Sequence, residues 1–128
     1  MNYVLLNSFA FVEGNFFLSV FLFLFFAGSG ASIRWRLQNL HLWDSWVSTV
    51  FVNIFSSFFI GYLVAANPAR SVVTVLGVGF LGSLSTFSTV IMQTAKTIEN
   101  RDHWLTVLIL GSNIVLGVFF DYIGLRFG

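Results

Sequence analysis

Gly77-Val78-Gly79-Phe80-Leu81-Gly82-Ser83-Leu84-Ser85-Thr86-Phe87-Ser88-Thr89 is the stretch on which the fold turns. Its first half has the spacing G-x-G-x-x-G, and Asp102 follows Gly82 by twenty residues. A dinucleotide fingerprint needs a strand before it and a βαβ unit around it. These glycines lie instead inside an apolar stretch, about residues 70–95, long enough to cross a bilayer. They are read as close-packing and helix-loosening positions. The second half puts five hydroxyls in the seven residues 83–89. Ser and Thr can bond their own i−4 carbonyls in an intact helix. The alternative is a helix broken at membrane depth, tolerated only where protein or water satisfies the backbone. Broken helices of that kind present carbonyls and N–H ends to ions. So dense a hydroxyl run favours the break.

Three further apolar stretches flank this one, at about residues 15–34, 45–66 and 104–125. Each approaches the roughly 20 residues that a spanning helix needs. Of the 128 residues, 57% are hydrophobic and 9% charged, too few charges to cover a soluble domain, where about 25% is usual. Short connections are expected at 35–44, 67–69 and 96–103, with Asn67-Pro68 a turn signal. Trp35, Trp43, Trp46 and Trp104 stand at span ends, where amphipathic aromatics anchor to headgroups. Residues 1–14 are expected to form an interfacial lead-in helix, and the apolar run after them is too long for a cleaved signal. The expected architecture is all-α: a single four-helix transmembrane domain over residues 1–128 with its third helix broken.

Charge placement bears on orientation. The first and third connections hold Arg34, Arg36, Lys96 and Arg101; the other side holds Arg70, Arg126 and the amino terminus. So small a bias fixes orientation weakly. Chance and dual topology, with protomers inserted both ways and paired antiparallel, both account for it. A net charge of +1 leaves no nucleic-acid footprint, and the absence of cysteine excludes disulfides and thiolate metal sites. His41 and His103 lie in connections, and no nucleophile–base set is visible, so enzyme activity is not expected.

In the second span Asn53 shares a helical face with Thr49 and with Ser56 or Ser57. It either joins two helices by a hydrogen bond or lines a polar path. No carboxylate lies at the depth of Asn53 or Phe87. Amide and hydroxyl donors, positive aromatic edges and Arg34 near one mouth suit a small anion held weakly enough to leave.

Three segments carry a family resemblance. Gly30-Ala31-Ser32-Ile33-Arg34, the lone Asn53, and the run 79–89 resemble the signatures of the Fluc (CrcB) fluoride channels. Those signatures are G-A-x-x-R, an Asn in the second helix, and G-F-x-G-G-x-T-T-F-S-T-F. The resemblance covers about residues 15–127. It implies a fluoride-selective channel that exports fluoride passively across the bacterial plasma (inner) membrane. It also implies an antiparallel homodimer with two pores and a sodium ion at the dimer centre. By position, Asn53 would contact fluoride and Phe87 would open the family's phenylalanine box. Ser88 and Thr89 would line the pore, and Arg34 would make a vestibule electropositive; Thr49, on the polar face of Asn53, is expected along the same path. The carbonyls of Gly82 and Ser85 would hold the sodium ion.

The sequence departs from the family at several points. Val90 replaces the second box phenylalanine, Gly82-Ser83 the double Gly, and Ser85-Thr86 the double Thr. Ile109 and Asn113 stand where the family places Tyr and Ser in the fourth helix. Val90 and Asn113 are still expected along the ion path. Two rival readings follow: a non-conducting partner in a heterodimer with a paralogous subunit, and a small-multidrug-type proton-coupled transporter using Glu13, the one candidate carboxylate in its first helix.

Overall fold

A computed structural model describes residues 15–40 and 44–128. The expectations for the lead-in helix, Glu13, His41 and Trp43 fall outside the described residues. Helix α1 (Phe16–Asn39) starts where Asn15 accepts the Leu18 N–H and runs past Arg34, so Arg34 is a helical residue. Nothing in Arg34-Trp35-Arg36-Leu37-Gln38-Asn39 breaks a helix, and Arg36 suits its negative C-terminal end. Helix α2 (Ser45–Ala66) has the expected bounds and stops at Asn67, which is left-handed at φ 44° ahead of Pro68.

The third stretch is composite. Helix α3 (Arg70–Val72) leads into a π-helical segment (Val73–Leu81) and then α4 (Gly82–Leu84). The chain leaves helix at Ser85 and Thr86 and resumes as α5 (Phe87–Glu99). The glycine run is therefore loosened into the wide π form, which often marks functional sites. Helix α6 (His103–Phe127) begins at Asp102, whose carboxylate accepts the Leu105 N–H at 3.0 Å. The α5–α6 connection is shorter than expected, because α5 continues to Glu99 and Arg101 turns the chain at φ 58°. Among the described residues the fold is all-helical, and four stretches are long and apolar enough to cross a membrane: Phe16–Asn39, Ser45–Ala66, Arg70–Glu99 and His103–Phe127.

The surface is apolar, and the interior mixes apolar side chains such as Val52, Val75, Leu81, Val90 and Ile109 with polar ones. Ser48, Thr49, Ser56, Thr86, Gln93, Thr94 and Thr97 are buried, while Phe16, Phe21, Phe25, Val107, Val115 and Phe119 are exposed. Apolar side chains facing outward and polar groups facing inward suit a multi-pass membrane protein.

Two close approaches set the packing. A Cβ on Gly30 would collide with the Ser83 hydroxyl and the Phe80 carbonyl, so α1 lies tight against the third stretch. Phe26 also meets Phe80 edge-on, with centroids 6.4 Å apart. A Cβ on Gly124 would collide with the Phe58 carbonyl, so α6 and α2 touch backbone to backbone. Gly124→Ala should lower the unfolding midpoint of the detergent-solubilised protein, because backbone cannot yield; overpacking costs about 1–3 kcal/mol. Gly111→Ala meets open space in the protomer and should leave the midpoint at or slightly above the parent value. Equal effects of the two changes would contradict this packing.

Candidate functional site

The break frees backbone groups at Ser85 and Thr86, and the rest of the fold supplies partners for them. Ser85 is extended at ψ 157° and Thr86 at φ −155°, ψ 122°. The Ser85 N–H reaches the Leu81 carbonyl at 3.0 Å. Thr86 is held from α2: its N–H donates to Asn53 Oδ1 at 2.7 Å, and its carbonyl accepts from Asn53 Nδ2 at 3.0 Å. One carboxamide thus pairs with both polar groups of one peptide residue, as a neighbouring strand would. Asn53 Nδ2 also donates to Asn113 Oδ1 at 2.7 Å, and Asn113 Nδ2 donates to the Ile109 carbonyl at 2.8 Å. Both Asn53 N–H donors are therefore engaged inside the protomer. The remaining freed group, the Ser85 carbonyl, accepts from Arg34 Nη1 of α1 at 3.2 Å.

Thr86 is also the N-cap of α5, with its hydroxyl accepting the Thr89 N–H at 3.3 Å. The Ser88 and Thr89 hydroxyls lie 3.2 and 3.1 Å from the Thr86 hydroxyl, so three of the sequence's hydroxyls converge on one point. The first N–H groups of α5 and its dipole make that end electropositive. Beside it lies an open pocket of about 220 Å³ lined by Asn53, Ser57, Ser85, Thr86, Phe87, Asn113 and Ile114. Phe87 is 66% exposed on the protomer, and none of the described residues lining the pocket is a carboxylate.

The other predicted residues are placed differently. Thr49 is fully buried one turn from Asn53 and does not line this pocket. It accepts from Gln38 Nε2 at 3.3 Å and Gln93 Nε2 at 3.0 Å, and donates to the Ser45 carbonyl. Gln93 was not singled out from the sequence. It is buried, and its Oε1 has no partner among the described residues. A lone amide in an apolar span was the signal that could have found it. Ser56 is likewise buried without a partner among the described residues, whereas Ser57 lines the pocket.

Val90 and Ile109, which stand where the family has aromatics, are both buried in the protomer core. Val90 is therefore not a wall of the pocket. A phenylalanine there has no free volume to enter. Val90→Phe should lower the unfolding midpoint by an overpacking penalty of about 1–3 kcal/mol, and fluoride flux should not rise. Higher flux at an unchanged midpoint would show that the side chain reaches the ion path.

The carbonyls of Gly82 and Ser85, which the resemblance assigns to a sodium ion, both lie at the helix break. The Ser85 carbonyl accepts from a guanidinium, and the Gly82 carbonyl faces the Ser85 hydroxyl at 3.4 Å.

Fold and site together define a four-span helical membrane protein whose third span is interrupted at Ser85-Thr86. Residues 21–125 match the family described as CrcB-like protein, Camphor Resistance (CrcB), and the chain belongs to that family. A relative from Pyrococcus furiosus, the fluoride-specific ion channel FluC, is 33% identical over 112 residues, covering 82% of this chain and 91% of its own. FluC 1 of Ligilactobacillus salivarius is 28% identical over 101 residues, covering 77% and 89%. FluC 2 of Bacillus thuringiensis subsp. konkukian is 26% identical over 82 residues, covering 64% and 70%. No solved structure matches the chain.

Proposed function

We propose that this protein is a fluoride-selective channel that lets fluoride leave the cytoplasm passively across a bacterial plasma membrane. The observation that carries the reading is the interrupted third span. Its freed backbone is held from two other helices, and the positive N-terminal end of α5 meets a pocket of hydroxyls, amides and the Phe87 ring with no carboxylate. Donors and positive edges in that arrangement suit a small anion. Membership of the CrcB family and relatives named fluoride-specific ion channels support fluoride as that anion.

In this reading the break lies near the bilayer midplane, and two protomers pair antiparallel. The pocket opens at the protomer surface, and Phe87 is turned outward, so a second copy would close the path. Ser57, Ser88 and the α5 N-terminus are the donors nearest that path, and Asn53 acts mainly by fixing Thr86. The numbered names FluC 1 and FluC 2 among the relatives support a second arrangement, in which a paralogous subunit takes the partner's place.

Expression of this chain alone in a bacterium stripped of its own fluoride exporter should restore growth in fluoride. Restoration only when a paralogous subunit is co-expressed would favour the mixed pair. No restoration in either case would defeat the proposal.

A further inference from the structure

We propose that Arg36 and Asp121 form a reciprocal ion pair between two inverted copies of this chain. The inference rests on the antiparallel pairing of the channel reading and names a contact that holds it. Among the described residues, Asp121 is the one carboxylate that lies more than a turn inside a span. It is half-buried on the seam between α2 and α6. A Cβ on Gly61 would stand 3.0 Å from Asp121 Oδ1, so the carboxylate lies against bare α2 backbone. It has no hydrogen bond or ion pair among the described residues. Charges inside a span are costly and are found paired.

Arg36 is exposed on the outward face of α1 and likewise has no partner among the described residues. It shares an open hollow of about 530 Å³ with Gly28, Ser29 and Ser32, and a Cβ on Gly28 would meet nothing within 4 Å. A second helix can therefore come close there. A guanidinium is also the cation best fitted to a desolvated carboxylate, being planar and weakly hydrated.

Depth decides which copy can bring the two charges together. Helices α1 and α6 cross in opposite directions, so in one protomer Arg36 and Asp121 lie on opposite sides of the midplane. Gln38, beside Arg36, bonds Thr49 of α2, while Asp121 lies on Gly61, and those two α2 positions are about 18 Å apart at the helical rise. Arg36 stands about 12 Å past the α1 midpoint near Gly28, and Asp121 about 9 Å past the α6 midpoint at Val115. Inverting one copy therefore brings its Arg36 to the side and nearly the level of the other's Asp121, and the arginine side chain spans the difference. A copy inserted the same way round would keep them apart. A twofold axis makes the contact twice.

The chain has no cysteine, so introduced thiols report alone. The full chain is reconstituted in liposomes and treated with a short bifunctional thiol reagent. The double variant Arg36→Cys/Asp121→Cys should link into dimers, and each single variant should stay unlinked. In a second measurement, Arg36→Glu and Asp121→Arg should each weaken dimerisation in lipid by about tenfold or more, and the two together should restore it. An unlinked double variant, a dimer linked through Asp121→Cys alone, or a charge-swapped double variant weaker than either single one overturns the proposal. Where a single swap fails to fold, the cross-link still decides. Fluoride efflux separates this claim from the channel reading: cross-link and rescue without flux would defeat the channel alone, and flux without them would overturn the ion pair alone.

Discussion

Asn53→Ala should cost the protein both its stability and its flux. The Asn53 carboxamide is the partner of the Thr86 N–H and of the Thr86 carbonyl, and it is oriented by Asn113. Truncation leaves two backbone groups unpaired beside a buried threonine, and each such group costs about 1–3 kcal/mol. Thr86 also caps α5, so a shift there moves the Ser88 and Thr89 hydroxyls with it. The expected result is a clearly lower unfolding midpoint, a broadened gel-filtration peak and fluoride efflux near background. Asn53→Asp separates the two bonds. It keeps an acceptor for the Thr86 N–H but turns a carboxylate on the Thr86 carbonyl and Asn113 Oδ1, and should be the worse variant. An Asn53→Ala protein as stable as the parent and silent in flux would assign Asn53 to ion contact alone.

That expectation differs from the one the sequence alone supports, and the reason is instructive. An Asn in an apolar span announces that a polar partner exists, because an unpaired amide there is costly. It does not say whether the partner is an ion, a side chain or a backbone group thirty-three residues away. The bounds of α2 were legible because Asn67-Pro68 ends it by local chemistry. The bounds of α1 and α5 were not, since apolarity stops at Arg34 and Ala95 while helical hydrogen bonding does not. The departure from helix at Ser85 and Thr86 was anticipated from glycines followed by hydroxyls. The clamp on Ser85 was not, because Arg34 had been placed at a helix end facing a vestibule. Val90 illustrates a further limit: alignment to a motif names the position, but only the fold shows that its side chain points into the core.

Selectivity is where the account predicts its largest effect. Fluoride is smaller than chloride and a stronger hydrogen-bond acceptor, so fixed donors that replace its water favour it. In the proposed reading the α5 N-terminus and the Ser57 hydroxyl are donors of that kind, and the Phe87 edge would hold an anion weakly enough to release it. Chloride loses less energy on dehydration but gains less from each donor, and its larger radius spoils the fit to donors anchored on Thr86. No carboxylate among the pocket's lining residues opposes either anion, so discrimination has to come from donor strength and geometry. The measurement that tests this most directly is anion efflux from liposomes holding the purified chain alone, with fluoride and chloride under matched outward gradients. The account predicts rapid fluoride efflux and chloride efflux indistinguishable from protein-free liposomes; comparable efflux of the two anions would contradict it.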